Sequence, residues 1–339
     1  MKAVAYQQCL PIGHAESLID VDLPEPAPGP HDLVVEVHAV AANPVDTKMR
    51  ARAQPAPGHW KVLGWDASGM VRAVGADVTL FQPGDRVWYA GSLQRPGTNS
   101  EVHVVDERLA GSAPKSLDFA AAAALPLTTI TAWEMLFERL AISPGKHHHG
   151  QSILVVGAAG GVGSILIQLA RRLTGLKVIA TASRPETAQW VRELGAHEVI
   201  DHTQPLADEL RRINAQAPNY VVCLTNTAKH YAAIAQAIAP QGKLGLIDDA
   251  EAGAIDIALL KGKSVSLHWE FMFTRSTFAT SDMIAQHNLL NEVAALVDSG
   301  VIRTTLGEHL GRISAANMKR AHALLESGKA RGKLVLEAF

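Results

Sequence analysis

The chain has 339 residues, 47% of them hydrophobic, a formal net charge of −2 at pH 7 and only two cysteines, Cys9 and Cys223. That length exceeds one ordinary hydrophobic core and predicts two domains. The near-neutral balance offers no basic surplus for nucleic acid or an anionic membrane, and two cysteines exclude a disulfide framework and suit a cytoplasmic protein.

The N-terminus, MKAVAYQQCLPIG, has no long apolar core after its lysine, so no signal peptide is expected. No run of about 18 apolar residues is found, so no membrane span is expected. The first third holds short alternating runs, DLVVEVHAV, GMVRAVG, GDRVWYA and EVHVVDE, separated by Gly and Pro. They predict a small β-barrel or curled sheet. From Ser116 the pattern changes: SLDFAAAAALPL predicts a helix capped by Ser116 and interrupted at Pro126, and TAWEMLFERL continues it. Strands and helices then alternate through SILVVG, VGSILIQLARRL, KVIATAS, PETAQWVRELG, YVVCLT, KLGLID and SVSLHWEF. Such alternation predicts a parallel sheet covered by helices. The tail predicts a helix in SDMIAQHNLLNEVAALVDSG, with Met283, Ile284, Leu290, Val293 and Val297 on one face and Gly300 ending it. A last helix, SAANMKRAHALLESG, precedes a closing strand, GKLVLEAF.

The stretch ILVVGAAGGVGSILIQLARRL runs from strand into helix through a glycine-rich bend. A helix that starts there points free N–H groups and its positive dipole end at the turn, where a pyrophosphate binds if the backbone admits it. Ala158-Ala159-Gly160-Gly161-Val162-Gly163 is the dinucleotide fingerprint with alanine at its first glycine, and Gly157 supplies the tight turn. The next strand ends in Ser183 and Arg184, with no acid before Glu186. A hydroxyl and a guanidinium suit a 2′-phosphate where a carboxylate would repel it, so NADPH is the expected cofactor. His202, after the following strand, is a candidate for the adenosine phosphate or a plain loop histidine.

The order of parts resembles the medium-chain dehydrogenase/reductase superfamily over nearly the whole chain. The resemblance rests on AANPVDTKMR, LGWDASGMVRAVG, FQPGDRVW, AAALPLTTITAWEML, GAAGGVG, LGAHEVID and RGKLVLEAF. Within it, the chain looks most like the quinone oxidoreductase group, in the branch labelled zinc-type alcohol dehydrogenase-like. The resemblance implies an α/β fold: a Rossmann doubly wound parallel sheet over roughly 127–267 and a GroES-like, partly open β-barrel from roughly 1–126 and 268–339, with NADPH in the cleft. It also implies a homodimer paired at the edge strand SVSLHWEF.

The zinc label fails on the residues. Where zinc members carry a Cys, then His and Glu, this chain has Asn43, then Trp65 and Asp66, and the usual proton-relaying hydroxyl is replaced by Val45. An indole cannot ligate zinc and an amide is a poor ligand beside a thiolate. No cysteine lies between Cys9 and Cys223, so a four-cysteine structural site is excluded. The run His147–His149 reads as a solvated loop, because adjacent residues cannot all face one ion. No metal is expected.

Without zinc a simple alcohol is a poor substrate, whereas a quinone, enone or similar electrophilic small molecule accepts hydride if its developing oxyanion meets donors. By resemblance, Asn43 lies near nicotinamide and acceptor as a candidate donor, or is a turn residue before Pro44. Asp46 is a candidate for holding the local backbone, Lys48 for an oxyanion, Trp65 for an apolar substrate wall and Asp66 for bracing that loop. Of Thr128 and Thr129, one hydroxyl is expected at the nicotinamide, here assigned to Thr129, and the other at a helix cap. Thr225, Ile247, Asp248, Phe271 and Phe273 follow later strands of the sheet and are candidates for the cofactor or substrate wall. Lys333 matches a position near the cofactor. A zinc-dependent alcohol or aldehyde dehydrogenase and a non-catalytic NADPH-binding protein remain as alternatives, which metal analysis and turnover of an acceptor panel separate.

Overall fold

The computed structural model describes all residues, 1–339, and the chain forms two compact units: Met1–Ile130 with Phe273–Phe339, and Thr131–Met272. In chain order the first unit opens with β1 (Lys2–Tyr6), β2 (Ile19–Asp22), β3 (Asp32–Ala42), β4 (Lys61–Val62), β5 (Ala67–Val74), β6 (Arg86–Tyr89), β7 (Val102–Asp106) and β8 (Ala110–Ser112). The second unit holds β9 (Ser152–Val156), β10 (Lys177–Thr181), β11 (Glu198–Ile200), β12 (Tyr220–Cys223), β13 (Lys243–Leu246) and β14 (Ser266–Trp269). The chain then returns to the first unit for β15 (Leu306–His309) and β16 (Lys333–Glu337).

In the first unit a seven-stranded sheet runs β15-β16-β3-β5-β6-β8, with β7 also on β3, and a three-stranded sheet runs β2-β1-β4. All these pairings are antiparallel except β15 with β16. The alternating residues of β3 carry it: Leu33, Val35, Val37 and Ala39 are buried, and the long strand serves three partners. Closing strand β16 lies antiparallel on β3, which sets Leu334 opposite Ala42 and brings Lys333 beside the start of the helix Pro44–Arg52.

The second unit is a six-stranded, all-parallel sheet in the order β11-β10-β9-β12-β13-β14. Its inner strands are apolar and buried, as a sheet covered by helices on both faces requires. The strand order reverses between β9 and β12, the crevice where doubly wound sheets bind ligands.

Several elements differ from the sequence expectation. Asp118, not Ser116, caps the helix Phe119–Ala123, accepting from the Ala121 N–H at 2.7 Å, while Ser116 bonds Asp298. The stretch TAWEMLFERL leaves the α-helical register after Trp133 and runs as a π-helix over Glu134–Arg139. Ile284 is exposed although its helix partners Met283, Leu290, Val293 and Val297 are buried, because it stands at the helix's first turn. The helical run Phe119–Arg139 does meet the length and hydropathy of a membrane span, contrary to expectation, but 83% of its apolar window is buried inside the protein, as in a core helix.

Candidate functional site

In the second unit, β9 ends at Val156 and the chain bends at once. Gly157 has φ +81°, a backbone state that favours glycine, and a Cβ there would meet the Thr225 methyl at 2.9 Å. The helix Gly161–Leu173 follows with Gly160 at its N-cap, so no side chain caps it and the first-turn N–H groups of Gly161 and Val162 stay open. Gly163 is glycine for a packing reason: a Cβ there would lie 2.4 Å from the Ala158 carbonyl oxygen, so helix and strand meet backbone to backbone. At Gly160 a Cβ would meet nothing closer than 3.5 Å, so the protein itself leaves that space clear. An open helix N-terminus beside a space that a side chain would fill fits a pyrophosphate.

The other candidates of this unit follow the carboxyl ends of the strands. Ser183 is exposed after β10, and Arg184 is half-buried with its Nε 3.3 Å from Glu186 Oε1. Pro185 and the Thr187 hydroxyl, which donates to the Arg184 carbonyl at 2.9 Å, start the next helix there. His202 follows β11; its Nδ1 is buried without a partner, its ring stands edge-on to His230, and burial lowers the pKa of both rings. Thr225 flanks the bend, and its hydroxyl accepts from Asn226 at 3.1 Å. Ile247 and Asp248 are partly exposed after β13, Ala159 and Val162 are partly exposed in the bend, and Phe271 is 49% exposed after β14. These residues therefore share one end of one sheet. The His147–His149 run is loop: His148 accepts from the Ser143 N–H at 3.2 Å and bonds Gln151 at 2.9 Å.

In the first unit, four sequence candidates gather in a buried polar cluster. The Lys333 ammonium is 2% exposed and donates to Ala42 O at 3.1 Å, to Asp66 Oδ2 at 2.8 Å and to Asn43 Oδ1. Those three bonds use all its hydrogens. Asn43 Nδ2 donates to Ala41 O at 3.1 Å and Asp66 Oδ2 at 3.0 Å, so both amide hydrogens are spent inside the protein. Asp66 Oδ1 accepts from the Leu127 N–H at 2.9 Å. Asp46 starts the helix Pro44–Arg52 by accepting from the Asn43 N–H at 2.6 Å, and its Oδ1 is buried without a partner. Burial pushes the Asp46 carboxyl up to about 7, against the pull of the Asn43 N–H and the Lys333 ammonium.

Trp65 is 1% exposed, donates its indole N–H to Ser92 O at 3.0 Å and meets Phe273 edge-on at 6.2 Å; both rings are core. Lys48 is half-buried on the helix after Pro44. The two threonines divide: Thr128 donates back to the Leu125 carbonyl at 3.1 Å, whereas the Thr129 hydroxyl is buried with no partner.

These residues do not suit a zinc ion. Both Asp66 oxygens are engaged, a lysine ammonium holds the centre, Trp65 offers only a donor, and no group of three His, Cys, Asp or Glu side chains is placed to hold a metal ion. Sequence reasoning missed a second buried acidic pair, Glu134 and Glu270, joined by Arg139. Its signal was a lone acid inside each of two apolar runs, TAWEMLF and LHWEFMF.

Comparison with known proteins agrees with this architecture. Residues 29–115 match the alcohol dehydrogenase GroES-like domain, and residues 194–336 match the zinc-binding dehydrogenase family. A zinc-type alcohol dehydrogenase-like protein of Staphylococcus aureus is 38% identical over 338 residues, 99% of each chain. The crystal structure of a putative zinc-dependent alcohol dehydrogenase from Rhizobium etli is 57% identical, with TM-score 0.95 over 100% of this chain and 98% of that one. The Escherichia coli quinone oxidoreductase in complex with NADPH is 27% identical, with TM-score 0.83 over 99% of this chain and 100% of that one. The chain belongs to the medium-chain dehydrogenase/reductase superfamily and is an oxidoreductase with a GroES-like unit and a Rossmann unit.

Proposed function

We propose that this oxidoreductase works without zinc, takes NADPH, and reduces a quinone, an enone or a similarly activated carbonyl compound. The observation that carries the reading is the Lys333–Asp66–Asn43 cluster: Asn43 and Asp66, at positions where the resemblance puts a Cys and a Glu in zinc members, are bonded instead to a buried ammonium. A reaction without a Lewis acid needs an acceptor that is already electrophilic. NADPH supplies the hydride when bound. The Gly161 and Val162 N–H groups hold its pyrophosphate, Ser183 and Arg184 its 2′-phosphate, and His202 lies on the adenosine side. The quinone oxidoreductase–NADPH complex among the similar structures supports the same cofactor.

Asn43 is a poor donor to a developing oxyanion, because both its amide hydrogens are in use. The Thr129 hydroxyl has an uncommitted hydrogen and is the better candidate in this unit. Lys333 serves by neutralising Asp66 and fixing Asn43, not by reaching out. We further propose a cytoplasmic homodimer: β14 is an edge strand, and Trp269 at its end is 51% exposed.

The test is NADPH oxidation against quinones, enones and simple aldehydes, with and without a strong chelator, repeated with NADH. Chelator-insensitive turnover of quinones or enones that prefers NADPH is expected. Chelator-sensitive turnover of alcohols or aldehydes would overturn the reading, and sedimentation velocity tests the dimer.

A further inference from the structure

The turn after β10 carries an ion pair with a bearing on cofactor choice. β10 ends at Thr181, whose hydroxyl oxygen accepts from the Gly157 N–H at 3.2 Å, so this strand end is tied to the glycine bend. Ser183 and Arg184 follow, and then the helix Pro185–Glu193. Arg184 is extended, with φ −119° and ψ 144°, the conformation that a following proline ring enforces. Within a helix, residues two apart do not face each other. Here the helix begins only at Pro185, so the side chain of the extended Arg184 turns back over the first turn, where Glu186 stands. Its Nε lies 3.3 Å from Glu186 Oε1. The Arg184 carbonyl accepts from the Thr187 hydroxyl and from the Ala188 N–H, both at 2.9 Å, which fixes the backbone of the turn. In the sequence this acid lies beyond the strand end; the fold returns it to the guanidinium.

The geometry of the pair marks it as exchangeable. The Arg184 side chain is 38% exposed and that of Glu186 54%, with 3.3 Å between them. Elsewhere in the chain Arg95 grips Asp32 through two bonds of 2.7 and 2.6 Å, with the Asp32 side chain 7% exposed. An exposed pair of the first kind contributes little and yields to a stronger partner. A phosphate monoester is such a partner, with close to two negative charges and oxygens that match the guanidinium fork. Glu186 opposes that partner twice: it neutralises Arg184 before the phosphate arrives, and its charge stays one guanidinium away afterwards. NADH brings no phosphate to this turn and meets neither effect. An acid in the first turn also favours the helix through its dipole, but that role alone would treat the two cofactors alike.

We propose that Glu186 sets the cofactor preference of this protein: by competing for Arg184 and repelling the 2′-phosphate, it holds down the advantage of NADPH over NADH, so that both are bound. This rests on the function proposed above, in which Arg184 receives the 2′-phosphate. The carboxylate that NAD enzymes carry at the strand end acts differently, by bonding the ribose 2′-hydroxyl; Glu186 acts through the guanidinium. Asp201, after the neighbouring strand β11, is turned to Thr203 instead, whose N–H and hydroxyl donate to it at 2.9 and 2.8 Å. With a phosphate on the far side of the planar guanidinium, the two anions stand about 6–7 Å apart in a solvated site, and removing one charge there changes affinity about three- to tenfold.

The test measures Kd for NADPH and for NADH, read from nicotinamide fluorescence, in wild type, E186Q, E186D and R184A. E186Q keeps the shape of the side chain and removes its charge. It should tighten NADPH about three- to tenfold and change NADH by less than about twofold. E186D keeps the charge and should retain the wild-type ratio of the two constants. The difference between wild type and E186Q for NADPH should shrink when salt is raised from about 0.05 M to about 0.5 M, since it is a charge effect between exposed groups. The proposal is overturned if E186Q leaves the Kd for NADPH unchanged, or shifts both cofactors by the same factor, as loss of a helix-stabilising acid would. R184A separates this failure from that of the function proposed above. If R184A weakens NADPH alone while E186Q does not tighten it, the 2′-phosphate role of Arg184 stands and only the role of Glu186 is wrong. If R184A weakens both cofactors equally, or wild type binds neither, the 2′-phosphate reading itself fails and the role of Glu186 falls with it.

Discussion

His322 offers a sharp test of how burial sets the pH dependence of stability. It lies on the helix Ala315–Glu326 with 0% exposure, and neither ring nitrogen has a partner. Burial, aided by the Arg50 charge, pushes its pKa from 6.5 down to about 3. The folded ring therefore stays neutral where the unfolded ring takes a proton. Below pH 6.5 the unfolded chain binds one proton more, and stability falls as pH falls, by about 1.4 kcal/mol per pH unit. His103 acts with the same sign down to about 4, since burial holds it neutral between the Tyr89 hydroxyl at 3.1 Å and the Pro96 carbonyl at 3.0 Å. Asp46 opposes both. Its folded pKa is raised from 3.8 to about 7, so the folded chain holds a proton that the unfolded chain has released. Its contribution is present at low pH and is lost as pH rises through 7.

Between pH 4 and pH 6.5 these three groups sum to one extra proton on the unfolded chain, a loss of about 1.4 kcal/mol per unit of acidification. Substituting His322→Leu removes one histidine from that sum and should bring the contribution of these groups near zero. At pH 7 the same change removes a buried N–H with no acceptor, which costs roughly 1–3 kcal/mol, so the variant should be no less stable than wild type. Urea unfolding followed by tryptophan fluorescence at pH 7, 6, 5 and 4.5 reads both effects. The reasoning is refuted if H322L keeps the wild-type slope, or if it is less stable at every pH.

Three further outcomes are expected. Substituting Gly160→Val should weaken NADPH binding at least tenfold, about 1.4 kcal/mol, with little change in Tm. Gly163→Val, whose Cβ meets the Ala158 backbone at 2.4 Å, should instead lower Tm; thermal melts beside cofactor titration separate the two. Arg184→Ala should raise the Kd for NADPH about tenfold and leave that for NADH nearly unchanged, as a lost phosphate contact predicts; equal losses for both cofactors would count against the 2′-phosphate role. Lys333→Met strands the fully buried Asp66 and should cost about 3–5 kcal/mol, most of it recovered in the double variant with Asp66→Asn. A double-mutant cycle without that recovery would mean that the ammonium does not neutralise Asp66.

What could be read in the sequence follows from the range over which each signal acts. The alternation of strand and helix from β9 onward is local periodicity, and the glycine bend combines three local requirements: a positive φ at Gly157, a clear space at Gly160 and a backbone contact at Gly163. All three act within seven residues, so a string of letters carries them. The cap at Asp118 was missed for a reason of the opposite kind. Ser116 is as good a cap by type, but Asp298, far along the chain, claims its hydroxyl, and nothing near Ser116 announces that. The polar centre shows the same limit. Asn43, Asp66 and Lys333 were each suspected singly, yet no local signal tells of their bonds to one another: both amide hydrogens of Asn43 are spent on Ala41 and Asp66, and the Lys333 ammonium bonds Asp66. That outcome depends on β16 lying on β3 in one register, Leu334 opposite Ala42. A slip by one residue would turn Lys333 to the other face of the sheet. The pair Glu134 and Glu270 carries the point further. A lone acid in an apolar run signals that a partner exists, because a buried carboxylate cannot stay unpaired; which partner it has is decided by the π-turn and by the tip of β14, and by no feature of either run alone.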